Sequence, residues 1–255
     1  MNKSQNNLCD GFLVAIQFLT RLNVGQHPDL WSDENCGKSV KFFPLAGAVL
    51  GAAYFTAAVL FNSCGTFSAE VIAAFLLVLS LYLTGGIFYD GFMDSADGIF
   101  SGREREKILT IMKDSRVGAN AVMAFTLLML TEWSSLLTVS TAFLPLVVFF
   151  IPVIGRFAAV LSIVLFPYAR PTGLGKAFHD FAPPCKTLVA SLLTTLIFAI
   201  PLKAQGILAL SIGVITALLF CRHAAKVLGG LTGDTYGAAA NLAECAALLF
   251  FASTA

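Results

Sequence analysis

The chain has 255 residues, 57% of them hydrophobic and only 12% charged, with a formal net charge of +1. A soluble globular domain carries about 25% charged residues, so this composition excludes an ordinary soluble domain and identifies a polytopic membrane protein. The near-neutral balance supplies no field for a polyanion, and no nucleic-acid partner is expected. The six cysteines (Cys9, Cys36, Cys64, Cys185, Cys221 and Cys245) have no CxxC or CxxH spacing and read as unpaired thiols. His27, His179 and His223 are isolated and are not expected to bind metal. Residues 1–10 are polar, and no cleavable leader is expected.

In chain order, segment 11–22 (GFLVAIQFLTRL) is too short to span and is expected at the membrane interface or against the bundle. A spanning helix needs about 20 mostly apolar residues. This predicts spans at 43–62, 69–89, 117–138, 143–166, 187–202, 206–221 and 237–253. The fifth and sixth are short, which predicts tilt or a tight hairpin. Residues 103–113 (REREKILTIMK) predict a short surface helix, with Ile108, Leu109, Ile111 and Met112 toward lipid and its Arg and Lys residues at lipid headgroups or on substrate phosphates. The expected fold is all-α: a polytopic integral membrane helical bundle of about seven transmembrane helices, N-in and C-out. A single domain, 1–255, is expected, with a cytoplasmic or interfacial segment at 1–42 and the bundle at 43–253. The orientation follows from charge: it places Lys3, and every other Lys and Arg except Lys203 and Arg156, on the cytoplasmic side.

One stretch concentrates the chemistry: GGIFYDGFMDSADGIFSGREREKILTIMKDSRVG at 85–118. Asp90, Asp94 and Asp97 are spaced by four and three, so on a helix they share one face. Carboxylates crowded at a membrane boundary are costly, and a hard divalent cation such as Mg²⁺ removes the cost. Asp114 fits either this group or a turn. A second constellation is GGLTGDTYGAAANLAE at 229–244, where Asp234, Asn241 and Glu244 share a helical face and Thr232 and Thr235 flank Asp234. It reads as a loop and helix cap or as a second acidic, phosphate-binding wall. The predicted topology puts both on the same membrane side. Arg170, Gly173, Gly175 and Lys176 form a basic loop suited to phosphate or to the positive-inside rule. Glu132 and Arg156 are expensive within a bilayer. They pair if their helices touch; otherwise Glu132 is solvated near the outer interface. Pro152 and Gly155 suggest a broken helix that places Arg156 on a wet cavity.

Together these motifs resemble the signature of the cobalamin synthase (adenosylcobinamide-GDP ribazoletransferase) family. AIQFLTRLNV near the N-terminus, FFPLAGAVLG at 42–51, YARPTGLG at 168–175 and LGGLTGDTYGAA at 228–239 fit the same family. Asp90, Asp94, Asp97, Asp114, Asp234 and Glu244 match its acidic positions; Arg116 and Gly118 match DSRxG, and Arg156 a basic position. Three positions depart: Tyr89 stands for a His, Asn241 for a Glu and Glu132 for a Lys.

The resemblance implies an Mg²⁺-dependent enzyme of the bacterial inner membrane with its active site facing the cytoplasm. It would move the cobinamide phosphate of adenosylcobinamide-GDP onto α-ribazole or α-ribazole 5′-phosphate, giving adenosylcobalamin or its 5′-phosphate and GMP. The implied metal ligands are Asp90, Asp94, Asp97, Asp234 and Glu244. Asp97, Asp114 and Asp94 are the catalytic candidates. Arg116, Arg156, Arg170, Thr232 and Thr235 would hold substrate and phosphate. Membrane lipid is the expected surround, and a homo-oligomer or a complex with other cobalamin-assembly enzymes stays open. Two alternatives fit the residues less well: a CDP-alcohol phosphatidyltransferase-like enzyme, which lacks its AR element here, and a cation-coupled transporter, whose carboxylates belong at the midplane.

Overall fold

The computed structural model describes residues 3–25 and 30–254, with side chains from residue 9 onward. His27 and the side chain of Lys3 lie outside the described residues. The helices are, in order, α1 Lys3–Leu19, α2 Asp33–Ser39, α3 Phe43–Cys64, α4 Ala69–Thr84, α5 Ile87–Phe100 and α6 Arg105–Ile111. There follow α7 Ala119–Thr138, α8 Leu144–Leu165, α9 Leu174–Phe181, α10 Pro184–Ala199, α11 Lys203–Leu228 and α12 Gly233–Ser253.

The bundle is organised around α8, which is apolar on every side and therefore belongs inside. It packs against α3, α10, α11 and α12. Small residues let these backbones close up: a Cβ at Gly47 of α3 would stand 2.5 Å from the Pro152 carbonyl oxygen. Although Pro152 lies inside α8, the helix runs unbroken from Leu144 to Leu165, so the expected break beside Arg156 is absent. Of the two placements expected for segment 11–22, the structure adopts packing. Val14, Ala15, Ile16 and Leu19 of α1 are buried.

Five helical stretches are long and apolar enough to cross a membrane, or six if α4 and α5 form one broken crossing. One stretch, Pro184–Leu228, is 45 residues long and is not a rod. Lys203 adopts φ 52, and a Cβ on Gly206 would lie 2.8 Å from the Ala199 carbonyl oxygen. Seven residues of straight helix would separate those positions by about 10 Å. The chain therefore turns back at 200–203, giving the tight hairpin that the two short apolar runs predict, and both legs pack on α8.

The second predicted span ends earlier than expected. Gly85 and Gly86 have φ of 65° and 72°, successive left-handed residues that glycine tolerates best. Here the chain bends by 92° between α4 and α5. Ile87, Phe88 and Tyr89 extend the apolar run in sequence but form the first turn of α5. The short helix after α5 also differs from expectation. Ile108 and Met112 pack with Leu228 away from lipid, and both touch Gly98. Arg105 fastens this helix by donating from Nε to the Leu228 carbonyl at 2.6 Å. That carbonyl ends α11, where a cation complements the helix dipole.

Candidate active site

The acidic face predicted from spacing forms on α5, and α12 supplies a facing wall. Gly91 makes the close approach: its Cβ, if present, would sit 2.7 Å from the Asp234 carbonyl oxygen. Asp234 thus comes beside the α5 carboxylates. Asp90, Asp234 and Asp97 all bear electrostatically on Asp94, opposed by Arg170. Arg170 is delivered by a short parallel bridge between Tyr168 and Leu231. In it Ala169 N donates to the Leu231 carbonyl and Leu231 N to the Pro167 carbonyl, each at 2.7 Å. Arg170 Nη2 then lies 2.9 Å from Asp234 Oδ2. With Nη2 engaged by Asp234, Arg170 Nε has no hydrogen-bond partner.

Two clefts meet at this point. One, of about 390 Å³, is lined by Asp90, Asp94, Asp97, Asp114 and Arg116. The other, of about 370 Å³, runs from Asp90 and Asp234 past Arg170 toward an aromatic floor. Asp90 and Lys113 line both. Lys113 belongs to the 103–113 run whose basic residues are expected at lipid headgroups or substrate phosphates; Tyr168 and Tyr236 are not singled out by the sequence.

Several expected site residues have other work. Asp97 accepts from Gly118 N at 2.6 Å and Ala121 N at 2.8 Å, which satisfies free amides at the start of α7. Asp114 and Arg116 form an exposed two-pronged pair on the rim of the acidic cleft. The Arg116 hydrogen bonds hold the Asp114 carboxyl down at about 2, a poor setting for a base at neutral pH. Thr232 and Thr235 face each other across the α12 N-terminus as a reciprocal cap. Both are fully buried, so the structure gives their hydroxyls to the helix instead of to phosphate; Thr232 also donates to Asp234 Oδ2 at 3.3 Å.

Glu244 does not join Asp234. Ten residues of helix separate them by about 15 Å, and Glu244 pairs with Arg156 in the core. Arg156 also lies 4.8 Å from the centre of the Phe88 ring. Neither expected state of Glu132 occurs: it is buried and accepts from the Tyr89 hydroxyl at 3.2 Å. Glu132, Glu244, Tyr54 and Tyr89 line a small pocket of about 50 Å³, large enough for water. Arg156 and Glu244 are therefore structural partners of the site, held behind α5 by Phe88 and Tyr89.

The fold defines a multi-pass membrane protein with a candidate cleft lined by facing carboxylates of α5 and α12 and by Arg170 from the loop after α8. The sequence matches the family described as cobalamin-5-phosphate synthase over residues 11–252. It is 38% identical over 241 residues to an adenosylcobinamide-GDP ribazoletransferase of Desulfitobacterium hafniense, covering 92% of this chain and 94% of that one. The namesake of Stutzerimonas stutzeri is 38% identical over 238 residues, 93% of this chain and 95% of its own. That of Clostridium acetobutylicum is 32% identical over 231 residues, 90% of each. No solved structure matches significantly. The chain belongs to the cobalamin-5-phosphate synthase family and is an enzyme of cobalamin nucleotide-loop assembly. The phosphatidyltransferase and transporter alternatives are set aside by that membership.

Proposed function

We propose that the enzyme transfers the cobinamide phosphate of adenosylcobinamide-GDP to a ribose hydroxyl of α-ribazole or α-ribazole 5′-phosphate. The products are adenosylcobalamin or its 5′-phosphate, and GMP. The observation that carries this is the meeting of α5 and α12 carboxylates with Arg170 where two clefts join. A bond forms from the ribose oxygen to phosphorus, the bond from phosphorus to the GMP oxygen breaks, and the hydroxyl proton passes to a carboxylate. Asp94, flanked by Asp90, Asp97 and Asp234, is our choice for that base. The unpartnered Arg170 Nε and the Lys113 ammonium clamp phosphate oxygens. Asp97 is a positioning residue that fixes α5 to α7.

The donor set suits Mg²⁺. Among the described residues no three acidic, histidine or cysteine side chains form a ready-made cage. Mg²⁺ is ordinarily held by one or two carboxylates together with substrate phosphates and water, and Asp90 and Asp234 would supply those two. Bound there, it would neutralise charge on the diphosphate and the departing GMP. Asp97 and Glu244 are left out of this ligand set for the reasons of contact and distance given above. We place the site on the cytoplasmic face of the bacterial inner membrane, because Arg103, Arg105, Lys107, Lys113 and Arg116 cluster around it in sequence.

The test is product analysis with purified protein in nanodiscs, supplied with adenosylcobinamide-GDP, Mg²⁺ and either α-ribazole or its 5′-phosphate. GMP and the cobalamin product are expected in equal amounts, and both should vanish with EDTA. GMP released without a cobalamin would show hydrolysis and overturn the transfer.

A further inference from the structure

We infer that Arg105 is a positioning residue for the transfer: it holds the loop that aims Arg170 and sets the register of that loop against α5. The inference rests on the proposed reaction, in which Arg170 clamps a phosphate oxygen. From α6, the Arg105 side chain reaches two other segments. Its Nε donates to the Leu228 carbonyl at 2.6 Å and its Nη2 to the Ala169 carbonyl at 3.1 Å. The fit is close, because a Cβ on Gly229 would stand 3.0 Å from Arg105 Nε. Gly229 has φ 72°, so glycine serves there for its backbone as well as for this approach.

The bond to Ala169 acts through the place of that carbonyl in the chain. It belongs to the peptide that joins Ala169 to Arg170, and a peptide is planar. The preceding peptide is pinned through Ala169 N, which donates to the Leu231 carbonyl at 2.7 Å. One pinned peptide leaves the next free to rotate, and Arg105 removes that freedom. On the far side Pro171 restricts the backbone of Arg170 to extended conformations. The Arg170 side chain thus leaves a fixed backbone, and its Nη2 lies 2.9 Å from Asp234 Oδ2. Arg105 is in turn tied to α5, since Ile108 and Met112, further along the same segment, both meet Gly98. The guanidinium therefore carries the register of the α5 carboxylates to Arg170. Its own charge is shared between two carbonyls and Glu106, whose Oε1 lies 3.5 Å from Nη1. Arg105 lines a cleft of about 290 Å³ with Lys113 and Arg170, and there it holds backbone while the other two meet phosphate.

A double-mutant cycle tests this. Arg105→Ala, Arg170→Ala and the double variant are compared in nanodiscs by GMP release and by calorimetric titration of adenosylcobinamide-GDP. Ile108, Met112 and Leu228 still pack together in Arg105→Ala. Should that variant unfold, Arg105→Lys, which keeps the charge and serves a single carbonyl, takes its place in the cycle. We expect Arg105→Ala to lower GMP release about tenfold to a hundredfold, the range for a misplaced group. Arg170→Ala should lower it about a hundredfold or more. The double variant should lie within about threefold of Arg170→Ala alone, because a residue that acts through Arg170 has nothing left to aim. A general loosening of the fold would instead persist in the double variant. Losses that multiply would overturn the inference, as would a wild-type rate in Arg105→Ala or in Arg170→Ala. The titration separates the inference from the reaction. The same lack of additivity in affinity for adenosylcobinamide-GDP, with no cobalamin formed by the wild type, would keep the positioning role and sink the proposed transfer. Cobalamin formation with multiplied losses would do the reverse.

Discussion

Asp94→Asn is expected to lower GMP release by about a hundredfold to ten-thousandfold, the range for loss of a general base, while the protein still inserts and folds. The asparagine is isosteric and relieves charge crowding among Asp90, Asp97 and Asp234, so the fold has no reason to weaken. Asp97 provides the contrast. Asp97→Ala removes the acceptor for Gly118 N and Ala121 N. Losing a helix-start cap costs about 0.5–2 kcal/mol, so this variant should lose thermal stability together with activity. Asp97→Asn keeps one carbonyl oxygen as an acceptor and should retain more of both. Activity assays beside thermal unfolding in the same detergent check the pair. Wild-type turnover in Asp94→Asn would remove Asp94 from the mechanism.

Breaking the buried pair between Arg156 and Glu244 should give the largest loss of stability. Removing one partner of a buried ion pair costs about 3–5 kcal/mol, because the other charge is left uncompensated. Arg156 is 3% exposed and Glu244 7%, so water cannot substitute. Glu132, a second buried carboxylate, accepts from Tyr89, and the ion-pair partner of Arg156 is Glu244. Arg156→Met and Glu244→Leu should each be poorly folded. The double variant should be more stable than either, since replacing both charges with apolar groups is often neutral or stabilising. Leucine is chosen because Gly155 already lies against the Glu244 side chain and admits nothing larger. A double-mutant cycle on unfolding checks this; additive losses would show that the two charges do not depend on each other.

Much of the site was legible because helical spacing is a local property. Asp90, Asp94 and Asp97 share a face by their spacing alone, and α5 is the helix that spacing required. Asp234 came to the same place because both segments lie at helix ends on one predicted side. The failures are those of locality. The spacing of Asp234 and Glu244 fixes a shared face but ignores the rise along α12, which carries Glu244 into the core. Its partner Arg156 comes from α8, a contact no local pattern encodes. Hydropathy ran through Gly85 and Gly86 because Ile87, Phe88 and Tyr89 are apolar, so the 92° bend was hidden. Thr232 and Thr235 have the three-residue spacing of a helix cap, and their proximity to Asp234 also suited phosphate. Phe178 lies on a short helix, α9, in what reads as a basic loop, so the aromatic floor had no signal at all.

The central claim is that Asp90 and Asp234, from two helices, form the reactive centre with Arg170, and that Glu244 stands outside it. Mn²⁺ titration followed by electron paramagnetic resonance tests this most directly, on wild-type enzyme with adenosylcobinamide-GDP bound and on Asp90→Asn, Asp234→Asn and Glu244→Gln. The account predicts a bound Mn²⁺ signal in the wild type, retained in folded Glu244→Gln and lost in the two Asp variants. Loss in Glu244→Gln with retention in both Asp variants would contradict it.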